Sequence, residues 1–203
     1  QDKAPTNNPD FVLAMKHLID REQVKNAIFR GFAVVANDQP VPPTHRYFNA
    51  GIPQRPFDLD KAKFHLQKSG LAGQKLAVVA STAAEGSIDM AVLLQQSAQK
   101  IGLTLQVNRV PGDGYWSNHW MKHPLGFGNV NPRPSADLLF TQFFKSDAPW
   151  NVSGWKRCMS RSRAVAICSR PTFPSLVNTS LGKSFPARYS PAAWMPTPCR
   201  SRS

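Results

Sequence analysis

Residues Leu76–Val110 read LAVVASTAAEGSIDMAVLLQQSAQKIGLTLQVNRV, and the fold class follows from this stretch. The run from Leu76 to Ala80 is short and continuously apolar, which is typical of a strand covered on both faces. Apolar residues recur at helical spacing from Ser87 to Ile101, and the alternation from Leu103 to Val110 predicts a second strand. A strand, a helix and a strand within about 35 residues predict a right-handed crossover with parallel strands. We therefore expect an α/β fold.

Two helices are predicted on the N-terminal side of this unit, between Asn8 and Gly31. Asn8 is placed to cap the first, and Pro9 takes the first helical position, where a missing N–H costs nothing. Asp20 begins a capping-box pattern for the second helix, which Gly31 is placed to end. The residues expected to face inward are Phe11, Ala14, Met15, Leu18, Val24, Ala27 and Ile28.

Three further expectations concern the segments around these helices. The apolar segment from Phe32 to Asn37 predicts a strand, and the Pro-rich stretch through Pro56 predicts a surface connection. Asp58 is placed to cap a helix that runs to Gly70 and faces Leu59, Ala62 and Leu66 inward. The crossover helix, which Gly102 ends, is expected to line one side with Ile88, Ala91, Val92, Gln95, Ala98 and Ile101.

Composition limits the class of protein. The 203 residues are 41% hydrophobic, which is enough for a real core, and no run of about 18 apolar residues predicts a membrane span. Residues Gln1–Pro5 lack the charged start and apolar core of a signal peptide, so none is expected in this chain. The three cysteines are odd in number and have no metal-ligand spacing, which argues against a disulfide framework. They are Cys158, Cys168 and Cys199.

The sequence contains no pattern of catalytic chemistry. We find no Ser-His-Asp order, no paired catalytic carboxylates, no phosphate-cradling glycine loop and no closed zinc set. His119 and His123 are four residues apart, a spacing that can bring two metal ligands to one helix face. Pro124 disfavours helix at His123, so two solvated histidines are the simpler interpretation. We expect neither an enzyme nor a cofactor or metal site.

The C-terminal region has a different character from the rest. Nine of the 25 Lys and Arg residues lie from Lys156 onward, where there is no Asp or Glu, so much of the net charge of +13 belongs there. One hypothesis is that the gene is read in a shifted frame after about Lys156. Translation of the other two frames tests this, because one of them should then encode an amphipathic helix that contains acidic residues. The alternative is a basic arm that contacts phosphates in a nucleic-acid-associated protein. In either case residues 156–203 are expected to be mostly disordered, after a folded body of residues 1–155.

An aromatic-rich region lies between Tyr115 and Trp155. It contains Tyr115, Trp116, Trp120, Phe127, Phe140, Phe143, Phe144, Trp150 and Trp155, interrupted by several glycines. Core packing accounts for such a set, and so does an apolar ligand cleft with a few orienting polar groups. The residue types alone do not separate the two.

Several segments together resemble a known family. An apolar helix that ends in Ile19-Asp20-Arg21 is followed by a short helix, a glycine and the Pro-rich segment Gln39–Pro43. An aspartate-led helix then contains Lys61-Ala62-Lys63. Further on come Tyr115-Trp116 with Trp120, Arg133–Asp137 (RPSAD) and Trp150–Trp155 (WNVSGW). In this order the segments resemble the periplasmic substrate-binding proteins of ABC transporters, in the peptide/nickel family.

The resemblance covers roughly Asn8 to Trp155 and implies one lobe, the C-terminal one, of a two-lobe protein of type II-like fold. Such proteins close on a solute, here a peptide, an opine-like conjugate or a metal chelate, and deliver it in the periplasm to ABC permease subunits without chemistry. The chain would then be a fragment with half a ligand site, lacking its N-terminal lobe. The ligand-binding residues implied are Tyr115, Trp116, Trp120, Asn131, Arg133, Asp137 and Trp150.

One departure from the family bears on the ligand. The family often has an acidic residue in the loop that binds a peptide amino group, whereas Gly126–Asn131 (GFGNVN) contains asparagines and no acid. Arg133 is a candidate to clamp a carboxylate or phosphate through two hydrogen bonds, although a surface ion pair explains it equally well. Asp137 is a candidate to cap or hydrogen-bond nearby backbone.

Overall fold

The structure is a computed structural model that describes residues 4–36, 38–131, 133–145 and 147–151. Helix α1 spans Pro9–Leu18 and helix α2 spans Arg21–Ala27. The predicted caps are confirmed: the Asn8 side chain accepts hydrogen bonds from the backbone of Asp10 and Phe11, and that of Asp20 accepts one from Gln23. Ala27, however, is exposed rather than inward-facing.

Helix α3 spans Leu59–Lys68 and packs along α1. Its predicted cap is confirmed, because the Asp58 carboxylate accepts a hydrogen bond of 2.9 Å from the Lys61 backbone N–H. Ala62 and Leu66 are fully buried against the main core. The two helices therefore form one layer of the lobe.

The crossover unit is present as predicted. Strand β1 spans Lys75–Ser81, helix α4 spans Ser87–Lys100 and strand β2 spans Thr104–Val110, and the two strands pair in parallel from Lys75↔Thr104 to Ser81↔Val110. The second half of β1 is continuously buried, as expected of a strand covered on both faces. The protein is therefore α/β in the described ranges.

The predicted inward face of α4 is wrong in part. Its buried residues are Ser87, Met90, Ala91, Leu94, Ser97 and Ala98. Ile88, Val92 and Gln95 are only half-buried and flank this stripe. Gln95 still contacts the sheet, since its side-chain amide donates a 2.6 Å hydrogen bond to the Leu105 carbonyl. Ser87 takes an inward position because its hydroxyl donates a 2.7 Å hydrogen bond to the Ser81 carbonyl and accepts one of 3.0 Å from the Ser81 N–H, a preference that apolar spacing alone does not reveal.

The predicted strand at Phe32–Asn37 is also wrong for the residues described. None of the named strands includes residues 32–36, and Phe32 is 82% exposed. A segment later in the sequence lies beside β1 instead: Gly126 forms a parallel bridge with Val79 of that strand. The expected disorder of residues 156–203 lies outside the described residues.

Two short helices complete the described chain. Helix α5 spans Tyr115–Asn118 and helix α6 spans Ala136–Phe143. Ser135, rather than Asp137, caps α6, with its hydroxyl accepting from the Leu138 N–H. Val41, Leu139 and Phe143 form a small second core, separate from the main one. None of the described helices has the length and apolar content needed to cross a membrane.

A buried group of charges connects the helical layer to the loop after α2. The Asp38 carboxylate accepts hydrogen bonds from Arg21 at 2.7 Å and from Arg55 at 2.5 Å, and the Lys16 amine lies 3.8 Å from it. Beside it, the Gln39 side chain exchanges two hydrogen bonds with the Asn49 backbone. The loop from Asp38 to Arg55 is therefore fixed at both ends.

Candidate functional site

The candidate site is built on the segment around Leu125 and Gly126, which lies beside strand β1. The Val79 N–H donates a 3.1 Å hydrogen bond to the Leu125 carbonyl, which sets the segment beside β1. Further along, the Tyr115 hydroxyl donates a 2.6 Å hydrogen bond to the Phe127 carbonyl. Burial raises the pKa of the Tyr115 phenol, although the hydrogen bond to Phe127 opposes this effect. The hydroxyl is thus a neutral donor that fixes the segment.

Tyr115 therefore lies in the main core. Its side chain is 1% exposed, and its ring packs edge-on against Trp116 at a centroid distance of 5.2 Å. Trp116 is exposed and meets Trp120 edge-on at 5.6 Å. These three predicted site residues form one aromatic group. The predicted ligand contact of Tyr115 stays a prediction, and the structure assigns its hydroxyl an internal partner.

Gly128 is required by the position of Trp120. A Cβ atom added at Gly128 would lie 2.6 Å from the Trp120 Nε1 atom, which is far inside contact distance. The Nε1 atom is itself buried and has no hydrogen-bond partner among the described groups. The glycine spacing noted in the sequence therefore serves, at this position, the close packing of an indole on the backbone.

Arg133 lies in a second group, together with Trp150. Its Nε atom donates a 2.5 Å hydrogen bond to the Gln142 side-chain oxygen. Its guanidinium carbon lies 5.4 Å from the ring centre of Phe143 and 5.8 Å from that of Trp150. The ion-pair interpretation of Arg133 finds no support in the described ranges, where the side-chain amide of Gln142 is its hydrogen-bond partner.

A cavity of about 180 Å³ adjoins this second group. One wall is the loop that the buried charges hold, and the other is the segment from Val130 to α6. The lining residues are Pro40, Val41, Pro42, Thr44, His45, Val130, Asn131, Arg133, Ala136 and Leu139. Apolar walls with a few polar groups are the usual construction of a small-molecule site.

The structure thus divides the seven predicted residues. Asn131 and Arg133 line the cavity, and Trp150 packs beside the Arg133 guanidinium. Asp137 is exposed in the first turn of α6 and is not among the lining residues. The segment from Leu125 to Asn131 connects this group to the group of Tyr115, Trp116 and Trp120.

Sequence reasoning missed the other half of the cavity. Pro40 to His45 was predicted only as part of a surface connection, yet it forms a wall. Gln142 and Phe143, which hold Arg133, were also missed as site residues. The prolines of this segment, Pro40 and Pro42 among them, signalled only a rigid backbone, because proline fixes φ.

Solved structures with the same fold include binding proteins for different solutes. DppA from Helicobacter pylori, solved with the peptide STSA, aligns at a TM-score of 0.65 with 23% identity over 84% of this chain and 36% of that one. NikA from Staphylococcus aureus, solved with Ni(L-His)2, aligns at 0.61 with 19% identity over 80% and 38%. AgaA from A. tumefaciens R10, solved with agropinic acid, aligns at 0.64 with 17% identity over 82% and 38%.

The chain therefore has the fold of a lobe of these proteins and spans well under half of their length. Among curated protein sequences, none matches it. The comparisons give no support to the nucleic-acid alternative.

A model of the bacterial extracellular solute-binding proteins, family 5 (middle), matches residues 1–151. Because this match extends over more than half of the sequence, the chain belongs to the family 5 bacterial extracellular solute-binding proteins.

Proposed function

We propose that this chain supplies one wall of the solute site of an ABC importer, and that Arg133 binds a carboxylate of the solute. The observation that carries the proposal is the setting of Arg133. Its Nε atom is held by Gln142 and its plane packs near Phe143 and Trp150, at the edge of a cavity. In the described ranges, no partner is recorded for its two terminal nitrogens, which is the arrangement that bidentate recognition of a carboxylate needs.

The composition of the cavity supports a solute with an apolar part and an anionic group. Val41, Val130 and Leu139 offer apolar surface, whereas Asn131 and Arg133 offer donors. Free carboxylates occur in peptides, in opine-like conjugates and in amino-acid chelates of metals, so all three remain candidate solutes. The volume of about 180 Å³ is below the usual range of complete ligand pockets, roughly 300 to 1,000 Å³, as expected for one wall of a site.

The family consists of substrate-binding proteins of transporters rather than of enzymes, and its members act in the periplasm. For this chain we propose the same role: binding without chemistry in the periplasm and delivery to ABC permease subunits. The remaining wall of the site would come from a second lobe. Residues 1–155 would form the lobe described here, and residues 156–203 a separate basic tail.

The test is a titration of the purified chain with three probes: the peptide STSA, agropinic acid and Ni(L-His)2. Calorimetry and tryptophan fluorescence report binding, the latter because Trp150 lies next to Arg133. Arg133→Gln is expected to weaken binding of the preferred probe about tenfold or more, since a charged hydrogen bond contributes about 1.5–3 kcal/mol. Arg133→Lys should restore little, because a point charge does not replace the planar fork.

Arg109→Gln is the matched control, since Arg109 is an exposed arginine on β2 that is not among the cavity-lining residues. It should leave the affinity within about twofold, the usual range for a surface substitution. Equal weakening by Arg109→Gln and Arg133→Gln would contradict a specific role for Arg133 and indicate only a general effect of net charge.

A further inference from the structure

Two histidines beyond α5 lie with their ring nitrogens facing each other. The Nδ1 atom of His119 is 3.2 Å from the Nε2 atom of His123. The two rings are nearly parallel, with an interplanar angle of 17° and centroids 5.5 Å apart. The buried ring of Tyr115 stacks on His119 at 6.3 Å and steadies its orientation.

The backbone brings these rings together without a continuous helix. α5 ends at Asn118, so the spacing of four residues does not place the histidines on one helix face. Instead, Met121 adopts a left-handed conformation, with φ of 62°, and turns the chain between them. A non-glycine residue in this region costs about 1–3 kcal/mol and persists where the surrounding contacts fix it.

We propose that His119 and His123 form a two-histidine site for a divalent late transition metal ion, of the class Cu2+, Ni2+ or Zn2+. Imidazole nitrogen suits these ions. Two nitrogens bound tetrahedrally to one zinc ion at about 2.0–2.1 Å lie roughly 3.3 Å apart, so the observed separation needs almost no change. The ion takes the place of the proton between the two nitrogens, and that proton passes through water to the other nitrogen of the same ring, so both imidazoles bind as neutral ligands. Each ring turns about its outer torsion so that the lone pairs converge on the ion.

The surroundings determine what kind of site this is. His123 is exposed and His119 half-buried, so an ion reaches both from solvent. In the described ranges, no group of three or more His, Cys, Asp or Glu side chains is arranged to hold a metal. The protein therefore supplies two ligands, and water fills the other positions. The pair is not among the residues that line the Arg133 cavity, so the inference stands independently of the proposed solute site.

The test uses the full chain without an affinity tag, with Cys158, Cys168 and Cys199 replaced by serine in every variant because thiolates also bind these metals. Zn2+ is titrated at pH 7.5 while NMR follows the imidazole C–H signals, and Cu2+ binding is followed by electron paramagnetic resonance. The signals of His119 and His123 are expected to shift together, before those of the other three histidines. The copper spectrum should report two imidazole nitrogens.

His119→Gln and His123→Gln should each weaken Zn2+ binding about tenfold or more, since the second ligand binds in an intramolecular step. The double variant should be little weaker than either single one, because chelation needs both rings. Lys122→Gln is the matched control, which keeps both imidazoles, and it should retain the affinity or raise it. Single variants that bind as tightly as the parent, or zinc shifts confined to other histidines, would overturn the proposal.

Discussion

At Asp38 a single carboxylate meets three cationic side chains with little access to water. Lys16 is 0% exposed, Asp38 3% and Arg21 6%, and only Arg55 reaches solvent appreciably. Removing the carboxylate of such a group is far more costly than forming the group is favourable, since the buried cations then lose their counter-charge. Among the described residues, Asp38 is the only acidic member of this group, and it also holds the cavity loop.

Asp38→Asn is therefore expected to lower the free energy of unfolding by about 3–5 kcal/mol, because it leaves three cations together without a counter-charge. Urea denaturation followed by circular dichroism measures the change. Asp60→Asn removes an exposed carboxylate in the first turn of α3 and should cost less than about 1 kcal/mol. Similar losses for the two variants would contradict the importance of the buried cluster.

Lys16 makes the contribution of this cluster to the stability of the fold depend on pH. Burial lowers the pKa of Lys16 from its ordinary 10.5 to about 8; Asp38 opposes the shift, whereas Arg55 and Arg21 add to it. Between these two values the unfolded chain binds more protons than the folded one, so stability rises as the pH rises from about 8 to 10.5. Below pH 8, the charged amine costs the fold roughly 3 kcal/mol at most.

Lys16→Met should accordingly stabilise the protein at pH 7, by about 1–3 kcal/mol, and the gain should shrink as the pH approaches 10.5. Unfolding by urea at pH 7, 8.5 and 10 tests both statements. Lys63→Met, an exposed lysine on α3, controls for the loss of one positive charge. A Lys16→Met protein that is less stable than the parent at pH 7 would show that the amine is net favourable.

At the scale of secondary-structure elements, side chains do not cap every helix. Asn8, Asp20, Asp58 and Ser135 cap their helices with side-chain oxygens. Helix α4 instead begins after Gly86, which has a left-handed φ of 71° and no side-chain cap. A Cβ atom at Gly86 would lie 2.9 Å from the Phe29 ring and 3.1 Å from Ile28. Because Gly86 has no side chain, Ile28 and Phe29, which follow α2, can pack against the start of α4.

Comparison of two glycines separates strain from steric overlap. Gly102 has a similar φ of 82°, but a Cβ atom there would meet nothing within 4 Å. Gly102→Ala should therefore cost about 1–2 kcal/mol, the conformational penalty alone. Gly86→Ala should cost about 1–3 kcal/mol more, from overpacking. Thermal denaturation measures both, and equal costs would mean that Phe29 and Ile28 move aside freely.

At the scale of the whole molecule, the chain is a lobe whose relatives of known structure are more than twice as long. Within the residues that the structure describes, buried apolar side chains form two cores, one around the crossover unit and one around Val41 and Phe143. The boundary at residue 155 and the character of the basic tail remain predictions from composition.

Limited proteolysis with mass spectrometry tests that division. Trypsin is expected to leave a resistant core that ends near Trp155, because the Arg-rich tail lacks the apolar periodicity and acidic residues of a packed element. A protease of different specificity controls for the abundance of arginine. Protection of the tail together with the body would mean that it packs, and the shifted-frame hypothesis would then lose its support.

Several features of the fold were predictable because they depend on neighbours in sequence. The caps at Asn8, Asp20 and Asp58 are local hydrogen bonds, so the residue types identify them. The predicted strand at Phe32–Asn37 failed for the converse reason: in the described part of this segment Val34 forms an isolated bridge, and extending a bridge into a strand depends on pairing across the fold rather than on neighbouring residue types. Likewise, Tyr115 and Trp116 have similar sequence signals, yet one is buried and the other exposed.

The amino-acid sequence was sufficient for the α/β class, the order of helices and parallel strands, the family resemblance and the choice of Arg133 as an anion-binding candidate. The α/β class and the order of helices and strands depend on periodicity, capping and local composition, which act over a few residues. The choice of Arg133 followed instead from the family resemblance of the segment that contains it. The tertiary structure was needed for the charge cluster at Asp38, the cavity wall at Pro40–His45, the setting of Arg133 between Phe143 and Trp150, and the meeting of His119 with His123. Each of these depends on side chains that backbone turns or packing across the fold bring together, and whether a group is buried or paired is a property of the packed molecule.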